Sequence, residues 1–144
     1  MRKAVKSGVA ALVIAGIVSL HAASASACRC REPSTAAAYS AATLVVVAEA
    51  VEITRRPEIQ GSTVKFRVQQ AWKAAAPEFL DVVSATDCAY SVQQGETHLL
   101  FLIRDGDRYT TGRCMGNTPV SRGKAALAWL RKHGKPAAAA GRVR

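Results

Sequence analysis

Residues 62–72 (STVKFRVQQAW) alternate: Val64, Phe66 and Val68 fall on one side, Lys65, Arg67 and Gln69 on the other. A period of two predicts a strand with one buried and one wet face. Residues 44–54 (LVVVAEAVEIT) are continuously aliphatic and β-branched until Glu49 and Glu52 enter, which predicts a strand buried at its start and wetter at its end. Residues 79–85 (FLDVVSA) predict a third strand, and 98–103 (HLLFLI), the most apolar run, the central one. Asp105-Gly106-Asp107 is a hairpin signal, with 108–111 as the returning strand. Between them, 55–61 holds Pro57 and Gly61, and 73–77, 86–90 and 93–96 read as loops or turns.

Two helices flank the strands. Ser34 or Thr35 can cap the alanine-rich stretch 36–42. Ser121 is expected to cap a helix ending near 133, whose apolar face is Ala125, Ala126, Leu127, Trp129 and Leu130, stopped by Gly134, Lys135 and Pro136. Residues 137–144 (AAAAGRVR) read as a frayed tail. Five strands within 44–112, a short helix before and a longer one after, predict a mainly β fold. The size match is a five-stranded Greek-key barrel of the oligonucleotide/oligosaccharide-binding (OB) type.

The first 27 residues read differently. Arg2, Lys3 and Lys6 precede a short apolar core at 9–20, and Ala25-Ser26-Ala27 is a small-residue cleavage signal, so 1–27 is expected to be a cleaved secretory leader. The apolar core falls short of the ~20 residues a membrane-spanning helix needs, and nothing later in the chain is apolar for long enough. Cleavage after Ala27 makes Cys28 the first residue of a secreted protein, with a free α-amine. A lipid anchor also requires a cysteine directly after the cut, but such signals favour a large aliphatic residue where this chain has Ala25. Residues 28–134 are then one domain and 135–144 a flexible basic tail.

Removing 27 of the 144 residues leaves 117, enough for one modest core, and all four cysteines, Cys28, Cys30, Cys88 and Cys114, lie after the cut. An even count in an exported chain reads as disulfides. A Cys28–Cys30 bridge would close a strained ring, so both N-terminal cysteines must reach far along the chain, to Cys88 and Cys114 in either order. A four-cysteine zinc site is the competing arrangement; export and the tight Cys-x-Cys spacing weigh against it.

Without the leader, 17 basic residues stand against 10 acidic ones, a net charge of +7 with the excess at the ends: Arg29 and Arg31 beside Cys30, and Arg131, Lys132, Lys135, Arg142 and Arg144 in the tail. No aromatics are interleaved with these cations, so a nucleic-acid platform is not indicated. Enzyme readings find no support. His21 lies in the leader, His98 in an apolar strand and His133 at a helix end; no pair has metal-ligand spacing, and there is no Gly-rich phosphate loop. His98 reads as a satisfied strand residue and His133 as a partner for helix-end carbonyls.

One ordered set of landmarks runs through the mature chain. It comprises Cys28-x-Cys30, Pro33, the aliphatic run 44–48, Val64-Lys65-Phe66-Arg67-Val68 leading to Trp72-Lys73, Cys88-Ala89-Tyr90, Gly95-Glu96 before Leu99-Leu100, and Thr111-Gly112-Arg113-Cys114. Over most of residues 28–130 this set resembles the tissue inhibitor of metalloproteinases family, in its small single-domain form related to the netrin-like module. The resemblance implies an OB barrel with disulfides Cys28–Cys88 and Cys30–Cys114, and no cofactor of its own. It implies a monomer whose partner is a zinc metalloprotease. The amine and carbonyl of Cys28 would chelate the protease's zinc, Arg29 would enter the first primed pocket, and Cys30, Arg31 and Glu32 would extend along the cleft. Ser84, Ala85, Thr86 and Asp87 would lie beside the terminus. The chain departs from that pattern at Arg29, where inhibitors carry a small hydroxyl or aliphatic residue, at Ala74 after Trp-Lys, and at Ala89 after Cys88. The alternative is a non-inhibitory extracytoplasmic binding module for an anionic surface or a protein partner.

Overall fold

Backbone pairing closes five strands into a barrel. In the computed structural model, which describes residues 28–140, the strands are β1 (Leu44–Arg56), β2 (Gly61–Trp72), β3 (Phe79–Ser84), β4 (Thr97–Asp105) and β5 (Arg108–Thr110). Their order is β1-β2-β3-β5-β4, and β4 pairs again with β1. Every pair is antiparallel except β3 with β5. This is the Greek-key barrel of the OB type. A short α1 (Thr35–Ala41) precedes it, and β6 (Thr118–Pro119), α2 (Lys124–His133) and β7 (Pro136–Ala137) follow.

The two hydrophobicity patterns have two physical causes. The barrel interior is filled by Leu44, Val46, Ala48 and Ala50 of β1, Val64, Phe66 and Val68 of β2, Leu80 and Val82 of β3, and Leu100 and Leu102 of β4. The outer face of β1 and β4 is also covered: Val45, Val47, Leu99 and Phe101 pack with Ala38 and Ala42 at α1, Leu130 of α2, and Trp72. Those two strands are buried on both sides and read as continuous apolar runs, whereas β2 and β3 meet solvent outside and alternate. β1 bends around the barrel through register shifts at Val47/Ala48 and Ala50/Glu52, where bulges raise the local twist.

The α1 helix starts as the alanine stretch predicts, with Ser34 Oγ accepting from Ala37 N at 3.2 Å. At its other end the Lys73 ammonium donates to the Tyr39 and Ser40 carbonyls at 2.8 and 3.3 Å, and to the Ala42 carbonyl. A cation on those orphan carbonyls is favoured by both hydrogen bonding and the helix dipole.

Three expectations are corrected. β1 runs on to Arg56, and the turn is compressed into a single 3-10 turn at Pro57–Ile59 with Gln60 in the left-handed region at φ 50°. Ser121 does not cap α2: the cap residue is Gly123, and no side chain caps the helix. A turn in which Arg122 N and Gly123 N donate to Pro119 O and Val120 O delays the helix by two residues. A Cβ on Gly123 would sit 2.9 Å from Thr118 Cγ2, so the close approach needs glycine. Finally, the tail does not fray at 135–140. Pro136 and Ala137 pair with Trp72 and Ala71, Ala139 bridges Ala76, and Lys135 N donates to Tyr39 Oη at 2.9 Å. Residues 1–27, on which the expected leader falls, and residues 141–144 lie outside the described residues.

Candidate functional site

Three separate stretches of chain meet at one end of the barrel. The first is the extended segment 28–33, the second the 85–92 loop after β3, and the third the 111–117 loop after β5. Two disulfides join them, Cys28–Cys88 and Cys30–Cys114, with Cα–Cα distances of 5.2 and 5.1 Å. This is the pairing implied by the family resemblance. The bridges touch: Cys28 Sγ lies 3.6 Å from Cys30 Sγ and 3.7 Å from Cys114 Sγ. The sulfurs of Cys28, Cys30 and Cys114 all fall within 4.8 Å of one another, the span of a metal-ligand set. Each is already bonded in a disulfide, so none has the thiolate that zinc requires.

Each loop is fixed by its own bonds. Thr86, at φ 70°, closes the second stretch: its carbonyl accepts from Ala89 N at 3.1 Å, its Oγ1 accepts from Cys88 N at 3.3 Å, and its N–H reaches Ile59 O at 3.0 Å. Ser84 Oγ accepts from Tyr90 N at 2.7 Å. At Gly61 β2 passes so close that a Cβ would overlap the Ser84 carbonyl oxygen and lie 2.6 Å from Ala85 Cα. The third stretch is organised by Asn117, 9% exposed. Its Oδ1 accepts from Phe101 N at 2.8 Å, and its Nδ2 donates to Thr111 Oγ1 and Gly112 O at 2.7 and 2.9 Å. Arg113 N then donates to Cys88 O at 2.8 Å, tying the two loops together beside the bridges. The first stretch rests on Gly116, where a Cβ would approach Ala38 Cβ to 3.0 Å and Pro33 Cγ to 3.5 Å.

The result is a rigid N-terminal ridge. Arg29, Cys30, Arg31 and Glu32 are exposed and Cys28 is half-buried. Thr86 and Asp87 are exposed beside them and Ala85 is half-buried. Ser84 differs from the expectation: it is 3% exposed and holds the loop from within, so it positions the ridge without reaching its surface.

Sequence reasoning missed the polar network beneath. A depression of about 550 Å³ opens beside Glu32 and is walled by Tyr90, Glu96, His98, Asn117 and Arg122. In its floor His98, 1% exposed, bonds on both ring nitrogens, to Tyr90 Oη at 2.8 Å and to Glu96 Oε2 at 3.2 Å. Burial pushes the Tyr90 hydroxyl up to about 12, with the Glu96 charge adding to it and Arg122 opposing. Burial holds the His98 pKa below its ordinary 6.5, with Arg122 adding to it and Glu96 opposing. The available signal was a histidine inside an apolar strand with a tyrosine eight residues earlier, and the chain gives no local spacing that marks such a pair.

His133 behaves as read from the sequence, its Nδ1 meeting Trp129 O at 3.1 Å while its ring stacks on Trp129 at 4.9 Å between centroids. The two disulfides fit an oxidising, extracytoplasmic setting. Among the described residues no helix is long and apolar enough to cross a membrane. Compared with known proteins, the chain matches no protein-family model and no curated sequence.

Proposed function

We propose that this chain, secreted and cut after Ala27, inhibits zinc metalloproteases through its N-terminal cysteine. The observation that carries the reading is the ridge: two disulfides converge on Cys28 and Cys30 while the side chains between and after them stay exposed. A segment held at both its first and third residues has little freedom left to lose, and preorganisation of that kind raises affinity for a cleft.

The chemistry follows from what a first residue offers. A catalytic zinc keeps one coordination position open for water. An α-amine lone pair and the carbonyl oxygen of the same residue are two donors spaced to chelate one metal, so Cys28 would take the open position, expand the coordination to five and displace the water that attacks the substrate. Its side chain stays out of the metal's reach because the sulfur is committed to Cys88. Arg29, Arg31 and Glu32 would run along the cleft, with Ala85, Thr86 and Asp87 as a second contact.

The test is to compare three forms of the secreted protein against a panel of zinc proteases. One is native, one carries an extra alanine before Cys28, and one is acetylated at its α-amine. The extension displaces the amine by one residue, ~3.5 Å, and acetylation removes its lone pair in place. Both are expected to abolish inhibition while the disulfides and far-UV spectrum stay native. Equal inhibition by all three forms refutes chelation, and no inhibition by the native form favours the binding-module reading.

A further inference from the structure

The outer wall of β1 and β4 is covered by the helices, but the wall made by β2, β3, β5 and the end of β4 is bare. Cross-strand register sets its side chains in rows. One row is Thr63, Val83, Thr110 and Ile103, each paired with the next. The row beside it is charged. Lys65 pairs with Asp81, Asp105 pairs with Arg108, and two residues back along the parallel β3–β5 ladder from Val83–Thr110, past Val82–Tyr109, brings Asp81 level with Arg108. The signs therefore run plus, minus, plus, minus across four strands. The exposed large hydrophobics among the described residues are Phe79 at 48% and Ile103 at 39%, and both lie on this wall, one on each side of the charged row.

We infer that this wall pairs with the same wall of a second copy of the chain about a two-fold axis parallel to the strands. Such an axis reverses the row, so Lys65 of one copy faces Asp105 of the other and Asp81 faces Arg108. Every cation then meets an anion, which is the self-complementarity an isologous contact demands. The pairing also covers Phe79 and Ile103. It departs from the monomer expected from the sequence, and it is independent of the N-terminal ridge. The two cations already have neighbours in their own chain, Lys65 with Glu52 at 3.4 Å and Arg108 with Asp107 at 3.9 Å. Those exposed pairs are worth little and do not hold the side chains away from a partner. Four strands at ~4.8 Å spacing and four residue steps of ~3.4 Å along them give a patch of about 19 by 14 Å, roughly 270 Å², smaller than the ~800 Å² per partner of a standard interface, so the dimer is weak and salt-sensitive.

Lys65 and Asp105 stand three strand spacings apart in one chain, about 14 Å, beyond effective Coulomb range at physiological salt. Any coupling between them is therefore between copies. The experiment is sedimentation equilibrium of the mature, disulfide-bonded protein at concentrations up to ~1 mM and about 0.15 M salt. Native protein is expected to self-associate. Lys65→Glu and Asp105→Lys alone should each weaken association about tenfold, and an equimolar mixture of the two should regain it, because each copy then presents the sign its partner needs. Circular dichroism checks that both variants fold. If a reversal unfolds the protein, Lys65→Gln should still weaken association and its retention would refute the pairing. A strictly monomeric native protein, undiminished association in the single variants, or a mixture no stronger than its parts each overturns the inference.

Discussion

The Tyr90 hydroxyl lies 2.8 Å from Nδ1 of His98, and Nε2 of the same ring faces the Glu96 carboxylate at 3.2 Å. A carboxylate only accepts, so Nε2 carries the proton and Nδ1 accepts from Tyr90. Protonating the ring reverses that second bond and places a charge in a buried site near the Arg122 cation. The folded pKa lies below 6.5, so the unfolded chain takes up the proton first as pH falls. Stability contributed by neutral His98 is complete above that value and is lost below it. Urea unfolding between about pH 7 and 5 should show falling stability in the native protein and a flatter profile in His98→Gln. Parallel profiles would remove His98 as the cause.

The bridges should dominate the stability of the ridge. They close separations of 60 and 84 residues. In the chain-entropy model each is worth about 4 to 5 kcal/mol. Replacing Cys30 and Cys114 together with alanine is expected to lower unfolding free energy by roughly that amount or somewhat less, and to raise hydrogen exchange in 111–117 before the barrel strands respond.

Gly61→Ala tests the approach of β2 to the ridge loop. The added methyl meets backbone at Ser84 and Ala85, which cannot rotate away as a side chain would. Overpacking of this kind costs about 1–3 kcal/mol, so the melting temperature should drop by several degrees. Gly106→Ala serves as a contrast: nothing lies within 4 Å of a Cβ there, although its φ of 61° adds backbone strain of its own.

Asn117→Ala should behave as loss of an organiser. It strips partners from Phe101 N, Thr111 Oγ1 and Gly112 O in a buried setting. An unsatisfied buried group costs about 1–3 kcal/mol. Denaturant titration should find a loss in that range, and Asn117→Asp, which keeps an acceptor for Phe101 N, should recover only part of it.

Arg29→Thr addresses specificity. Arg29 is exposed on the ridge, and seating an unpaired guanidinium in an apolar pocket carries a desolvation penalty. The variant is expected to inhibit proteases with apolar first primed pockets more strongly than native protein does, measured as inhibition constants on the same panel. Weaker inhibition of every protease by the variant would mean that Arg29 finds an acidic partner.

The strands were legible because their patterns record which faces are covered. Val64, Phe66 and Val68 alternate with solvated neighbours, while Leu99 and Phe101 look outward into helices and so break the alternation. The start of α2 was not legible, since Ser121 has the chemistry of a cap and only the packing of Gly123 on Thr118 moves the helix past it. At the site, the cysteines announced themselves by type and spacing. Ser84 falls in step with Leu80 and Val82 on the inner face of β3, and its placing on the ridge came from the family resemblance and not from that period; the Tyr90–His98–Glu96 chain joins a loop to a strand through space. Contacts of that kind leave no period in the sequence.

The last described residues have a role that a basic, alanine-rich ending conceals. β3 pairs with β2 only along Ser62–Arg67, so the second half of β2 would present bare amides and carbonyls on that side. Pro136 and Ala137 lie there against Trp72 and Ala71, and Ala76 exchanges backbone bonds with Ala138 and Ala140. A bare strand edge is a template on which another chain can add itself. Residues 135–140 thus act as a stopper on an open seam, with a proline, which has no N–H to offer a newcomer, at its head. A chain ended at Gly134 would keep its barrel and lose its protection from fibrous self-addition.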